Sequence, residues 1–136
     1  MEKPIALVIE DEYDISLIFA RALQAAGYET EIIRSGDTAL TWLRAATPDL
    51  VILDLQLPRV PGTEILHHIR ANPRLAKSRV IVATAYSDLA ATLQDKADWI
   101  LIKPVKFGHL RDLAARLIPG ATSEEQSDSL DEQAQV

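Results

Sequence analysis

Four short apolar runs, each ended by a polar residue, constrain this chain more than any other feature. Ile5-Ala6-Leu7-Val8-Ile9 gives way to Glu10-Asp11, Leu50-Val51-Ile52-Leu53 to Asp54, Val80-Ile81-Val82-Ala83 to Thr84, and Trp99-Ile100-Leu101-Ile102 to Lys103-Pro104. Runs of four or five residues rich in branched side chains are too short for a helix, and each reads as a strand buried on both faces. If these strands are parallel, their C-terminal ends share one edge of a sheet, where open α/β folds place their sites. Carboxylates, a hydroxyl and an ammonium then meet in one cleft.

Helical periods separate the runs. From Asp14, the residues Ile15, Ile18, Phe19, Ala22, Leu23 and Ala26 mark one helix face, and Gly27 stands where a left-handed cap is wanted. Glu29 to Ile33 is a short further strand. Ser35-Gly36-Asp37 opens a second helix carrying Ala39, Leu40, Leu43 and Ala46, which Pro48 ends. A third helix starts near Gly62, turns Ile65, Leu66 and Ile69 inward, and stops at Asn72-Pro73. The stretch from Ser87 to Lys96 has room for only a short, mobile fourth helix. A fifth is expected from Val105 to Ile118, with Phe107, Leu110, Leu113 and Leu117 on its buried side. Strands alternating with helices predict an α/β fold: a five-stranded parallel, doubly wound sheet with five helices, joined by right-handed crossovers.

Composition narrows the function. The 136 residues suit one domain, and the absence of cysteine excludes disulfides and thiolate metal sites. The N-terminus enters a strand directly and no run of 18 apolar residues occurs, so a soluble, cytoplasmic protein without membrane contact is expected. Of the twenty acids, five lie in residues 119–136, which hold no Lys or Arg, leaving fifteen acids against fourteen bases in the body. A nearly neutral body lacks the basic face that nucleic acid requires. The polar segment 119–136 reads as an acidic, disordered tail.

The clustered acids carry the chemistry. Asp11, Asp54 and Glu10 concentrate negative charge that a cation or a proton must relieve. A hard divalent ion such as Mg²⁺ suits oxygen ligands and normally shares them with phosphate and water. Lys103 supplies a fixed positive charge, Thr84 a hydroxyl donor, and Asp54 a carboxylate able to form an acyl phosphate. Taken singly, Asp54 is equally a polar strand end, Glu10-Asp11-Glu12 a charged helix start, and Thr84 a strand residue. The agreement of all the strand ends is what argues for a site.

These residues, in this order, resemble the receiver domain of two-component response regulators over residues 4–118. The resemblance rests on Glu10-Asp11, on Asp54 within Asp49-Leu50-Val51-Ile52-Leu53-Asp54-Leu55-Gln56-Leu57-Pro58, on Pro61-Gly62, on Thr84-Ala85 and on Lys103-Pro104. It implies a flavodoxin-like sheet of order 2-1-3-4-5 and a phosphorylation switch or phosphorelay intermediate. Asp54 would accept a phosphoryl group from a histidine kinase or histidine phosphotransfer protein, with Mg²⁺ held by Asp11, Asp54 and the backbone carbonyl of Gln56. Glu10 would assist that ion directly or through water. Lys103 would pair with Asp54 or its phosphate, its bond to Pro104 being cis, and Thr84 would turn to the phosphate. Gln56 and Tyr86 would flank the path of attacking water. With no output domain in the sequence, the downstream target would be a protein, and homodimerisation stays open.

Departures from the family pattern fall elsewhere. Receivers commonly carry Tyr or Phe three residues before the lysine; here that residue is Ile100, with Trp99 beside it, so either Trp99 substitutes from the other face or the output surface differs. Val105 stands where Phe often follows Lys-Pro, and the stretch from Thr84 to Lys103 is short. A pseudo-receiver or dimerisation scaffold that signals by docking is therefore the alternative. An aspartate-nucleophile phosphatase is disfavoured because Gln56 replaces the expected second acid, and dinucleotide binding because no glycine-rich turn follows the first strand. His67 and His68, adjacent on a helix, diverge too far to chelate one ion and are expected to be solvated; His109 is expected at the surface and Trp42 to serve packing.

Overall fold

The computed structural model describes residues 2–120, so the acidic tail lies almost wholly outside the described residues. Five strands, β1 (Ile5–Ile9), β2 (Glu29–Ile33), β3 (Leu50–Leu53), β4 (Arg79–Thr84) and β5 (Trp99–Ile102), form one parallel sheet of order β2-β1-β3-β4-β5. Helices α1 (Tyr13–Ala25), α2 (Gly36–Ala45), α3 (Gly62–Ala71), α4 (Ser87–Ala91) and α5 (Phe107–Arg116) alternate with them, and a 3-10 turn spans Pro73–Leu75.

The two-residue period of the strands builds two cores. Ala6, Val8, Leu50, Ile52, Ile81 and Ala83 point to one face, where α1 and α5 cover them with Phe19, Leu23, Leu110 and Leu113. Leu7, Ile9, Val51, Leu53, Val80 and Val82 point to the other, against Leu43 of α2 and Ile65, Leu66 and Ile69 of α3. All twelve of those strand side chains are buried, which is why no polar residue is tolerated before the strand ends.

Several ties lie at the edge opposite the strand termini. Arg74 donates to the carbonyl oxygens of Leu43 and Ala46 and to Thr47 Oγ1, satisfying the C-terminal carbonyls that α2 leaves without partners. Asp98 accepts from Val80 N at 2.7 Å and Arg70 Nη2 at 2.8 Å, joining α3 to the start of β4 and β5. Gly27, at φ +112°, follows α1 in the left-handed region that the sequence called for.

Some local expectations are corrected. The fifth helix is shorter at both ends than Val105 to Ile118, and the first starts one residue earlier than Asp14. Ile18 and Phe107 satisfy the helical period yet stay 45% and 41% exposed, outside the apolar cluster that α1 and α5 build over the sheet. His68 is half-buried and its Nε2 has no hydrogen-bond partner among the described residues, so only His67 of that pair is exposed as expected. Trp42 packs in the α2 and α3 layer and His109 is exposed. The fourth helix is short, a single five-residue turn.

Tyr28, buried at the α1–β2 corner, donates its hydroxyl to the Ala114 carbonyl at 2.8 Å and so ties α5 down. Since Leu117 N also donates to that carbonyl, Tyr28→Phe is expected to cost about 1 kcal/mol in urea unfolding, without loss of fold.

Candidate functional site

The site forms because β1 and β3 are neighbours. Asp54 N donates to Ile9 O at 2.9 Å and Glu10 N to Ile33 O at 3.1 Å, extending the sheet pairing one residue past the strands and setting both acids at its edge. Glu10 and Asp54 are buried while Asp11, turning into α1, is exposed. One carboxylate oxygen from each of the three acids lies within 4.8 Å of the others. Such a cluster fits a divalent cation by charge, by hard oxygen chemistry and by the solvent access at Asp11.

The loop after β3 is held by two glycines. A Cβ at Gly62 would stand 2.2 Å from the Asp54 carbonyl oxygen and 2.6 Å from Leu55 Cα, so only glycine lets α3 begin against the acid. A Cβ at Gly36 would come within 2.0 Å of Val60 O, and Gly36 N donates to Pro58 O at 3.2 Å. Gly62 belongs to a motif visible in the sequence; the part played by Gly36 carried no signal beyond a helix start. Within the loop, Gln56 N donates to Asp54 Oδ1 at 3.1 Å, and Arg59 takes a left-handed φ of 71°.

Lys103 enters from the end of β5, and its peptide bond to Pro104 is cis. Its Nζ is 2.6 Å from Glu10 Oε1 and 3.5 Å from Asp54 Oδ2. The sequence expectation paired it with Asp54; the closer partner is Glu10. Glu10 Oε2 in turn accepts from Glu12 N at 3.2 Å. Thr84 is fully buried, with Oγ1 accepting from Tyr86 N at 3.1 Å, and its carbonyl accepts from Lys103 N at 2.9 Å. Gln56 and Tyr86, the expected flanking residues, are both exposed.

Burial is the strongest influence on Glu10 and pushes its carboxyl up to about 7; the bond from Lys103 opposes this and the charge of Asp54 adds to it. For Lys103, burial works to lower the pKa, but the bond to Glu10 and the charge of Asp54 outweigh it and hold the ammonium above the ordinary lysine value. The two directions pull apart, since one favours a neutral Glu10 and the other a charged Lys103. The half-buried ammonium, 2.6 Å from one carboxylate and 3.5 Å from a second, is held in its charged form, while burial raises the Glu10 carboxyl beside it.

Ile100 lies on the Thr84 face of the sheet and packs with the α2 and α3 layer, whereas Trp99 packs with α1 and α5 on the opposite face. Trp99 also pairs with Ile81, three residues before Thr84, so it does not occupy the place of the missing ring.

The family model for the response regulator receiver domain matches residues 6–115. The chain is 32% identical over 111 residues to the DNA-binding response regulator MtrA of Mycolicibacterium paratuberculosis, covering 82% of this chain and 48% of MtrA. It is 36% identical over 104 residues to the phosphate regulon transcriptional regulatory protein PhoB of Rhizobium meliloti, covering 74% of this chain and 46% of PhoB. The chain thus spans just under half the length of these relatives. The crystal structure of the Mn²⁺-bound response regulator Rcp1 superposes with a TM-score of 0.75 at 25% identity, covering 88% of this chain and 97% of Rcp1. The chain belongs to the response regulator receiver domain family. Receiver domains are signalling switches of two-component systems, and they bind Mg²⁺ at an acidic pocket. Among the described residues no helix is long and apolar enough to cross a membrane.

Two outcomes follow. Gly62→Ala is expected to cost about 1–3 kcal/mol in urea unfolding, since backbone must move; Gly108→Ala, where a Cβ meets only an Arg111 nitrogen at 3.6 Å, is expected to be neutral or stabilising. Because the folded-state pKa of Glu10 is raised, its contribution to stability is full below the unfolded value of 4.5 and is lost as pH rises through about 7. Without divalent cations, wild-type stability is expected to fall relative to Glu10→Gln across that window by about 1 kcal/mol per pH unit, measured by denaturant titration at several pH values.

Proposed function

We propose that Asp54 accepts a phosphoryl group from the phosphohistidine of a histidine kinase or phosphotransfer protein, in a Mg²⁺-dependent reaction. The protein would then serve as a phosphorylation switch or relay intermediate. One observation carries this reading: a buried carboxylate at a strand end is flanked by an exposed acid, Asp11, and by the ammonium of Lys103. Asp11, Asp54 and the carbonyl of Gln56 are the proposed holders of the ion, with Glu10 at the edge of the same cluster. When bound, Mg²⁺ supplies positive charge against the phosphoryl oxygens.

In the proposed transfer a carboxylate oxygen of Asp54 attacks phosphorus. An O–P bond forms, the P–N bond to the donor imidazole breaks, and the departing nitrogen keeps the electron pair and takes a proton from solvent. Lys103 offsets charge on the phosphoryl oxygens. Thr84 Oγ1 already accepts from Tyr86 N, so its own proton is available for a phosphoryl oxygen. The Mn²⁺ in Rcp1 and the family membership support the metal assignment. The nearly balanced charge of the body favours protein partners, and a cytoplasmic location fits such partners. The absence of a ring at Ile100 favours output by a face or contact other than the usual aromatic turn.

Incubation with Mg²⁺ and phosphoramidate is expected to add one phosphoryl mass to the intact protein. Removing Mg²⁺ with a chelator, or substituting Asp54→Asn, should abolish the gain. A gain retained in Asp54→Asn would overturn the assignment.

A further inference from the structure

The loop that follows Asp54 is held by the acceptor on one side and by α2 on the other. Gln56 N donates to Asp54 Oδ1 at 3.1 Å, so the start of the loop is bonded to the carboxylate itself. Further along, Gly36, the buried first residue of α2, donates its N–H to Pro58 O at 3.2 Å. A Cβ on Gly36 would stand 2.0 Å from Val60 O and 2.7 Å from Val60 Cβ, so the two backbones meet with no room between them. Leu57 and Val60 of the loop then pack into the same apolar layer as Leu40 and Trp42 of α2. The ion pair of Arg59 with Asp37, 3.3 Å long and exposed, adds little to this joint.

We infer that the acceptor loop and α2 form one mechanical unit, with Gly36 as the positioning residue at their joint, so that the state of Asp54 is reported on the α2–α3 face of the sheet. This rests on the phosphoryl transfer proposed above. Forming the acyl phosphate changes both carboxylate oxygens as acceptors, since one becomes the bridge to phosphorus and the other an uncharged carbonyl. The charge-assisted bond from Gln56 N changes with them. The loop does not absorb that change alone, because its apolar side chains are packed and its backbone already meets α2, and close-packed interiors transmit displacement. Coupling of this kind is reciprocal: whatever seats the loop against α2 also places the Asp54 carboxylate and the Gln56 carbonyl, so disturbing the joint is felt at the ion. β5 offers no comparable path, since Ile100 carries no ring and Trp99 packs in the opposite layer.

The two tryptophans supply the test, because Trp42 lies in the α2–α3 layer and Trp99 in the α1–α5 layer. The full chain is prepared with Trp99→Phe or with Trp42→Phe and treated with Mg²⁺ and phosphoramidate, the phosphoryl gain being checked by mass. Emission should change clearly where Trp42 remains and little where Trp99 remains. A Trp42 response no larger than that of Trp99 overturns the inference. Calorimetric titration with Mg²⁺ then tests the joint without phosphoryl transfer. Gly36→Ala should bind the ion about tenfold more weakly, the lower end of the cost of disturbing the groups that support a metal ligand. Val60→Gly, which removes the loop's apolar hold on the layer, should weaken binding in the same sense, while Gly108→Ala should bind as the wild type does. Unchanged Mg²⁺ affinity in either folded variant of the joint ends the proposal, and Val60→Gly decides it where Gly36→Ala does not fold. If the wild-type protein gains no phosphoryl mass, the transfer reading fails, and the calorimetry still decides the joint.

Discussion

The whole arrangement depends on the parallel pairing of β1 with β3. That register sets Ile9 beside Leu53, and the bond from Asp54 N to Ile9 O carries it one residue further, so Glu10 and Asp54 must emerge side by side. Two acids in that position are tolerable only with positive charge nearby. The sheet supplies it from β5, two strands beyond β3, through the reach of the Lys103 side chain. Slipping either strand by one residue would turn its apolar set to the wrong layer, so the two cores that stabilise the fold also fix the site.

Much of this was legible in the sequence because burial on both faces writes itself as uninterrupted apolar runs. The strands, their order once the family resemblance was admitted, and the helices α1 to α3 follow from that pattern and from Gly27, Pro48 and Asn72-Pro73. The choice of partner for Lys103 was not legible, since strand ends place a charge at an edge without saying which of two adjacent acids it meets. Neither was the exposure of Ile18 and Phe107, because a helical period gives the inward direction but not the width of the layer it faces. The capping of α2 by Arg74 comes from a contact 28 residues away, beyond any local signal.

The chemistry and its readout are separable in this molecule. The acids, Thr84 and Lys103 meet at one edge, while the nearest side chain on the Thr84 face of β5 is aliphatic and the nearby tryptophan lies on the other face. Thr84 is instead joined by its hydroxyl to Tyr86 N, the residue from which the single turn of α4 starts. A movement of Thr84 toward Asp54 would therefore be felt first in the backbone at the start of that turn.

The central claim is that Asp54 carries the phosphoryl group, and the most direct measurement is chemical trapping of the acyl phosphate. Borohydride reduces an aspartyl phosphate to homoserine but leaves a free carboxylate alone. After treatment with Mg²⁺ and phosphoramidate, peptide sequencing by mass spectrometry should find homoserine at residue 54, with Glu10 and Asp11 unchanged. Aspartate at residue 54 in a protein that has gained phosphate, or homoserine at residue 11, would contradict the account.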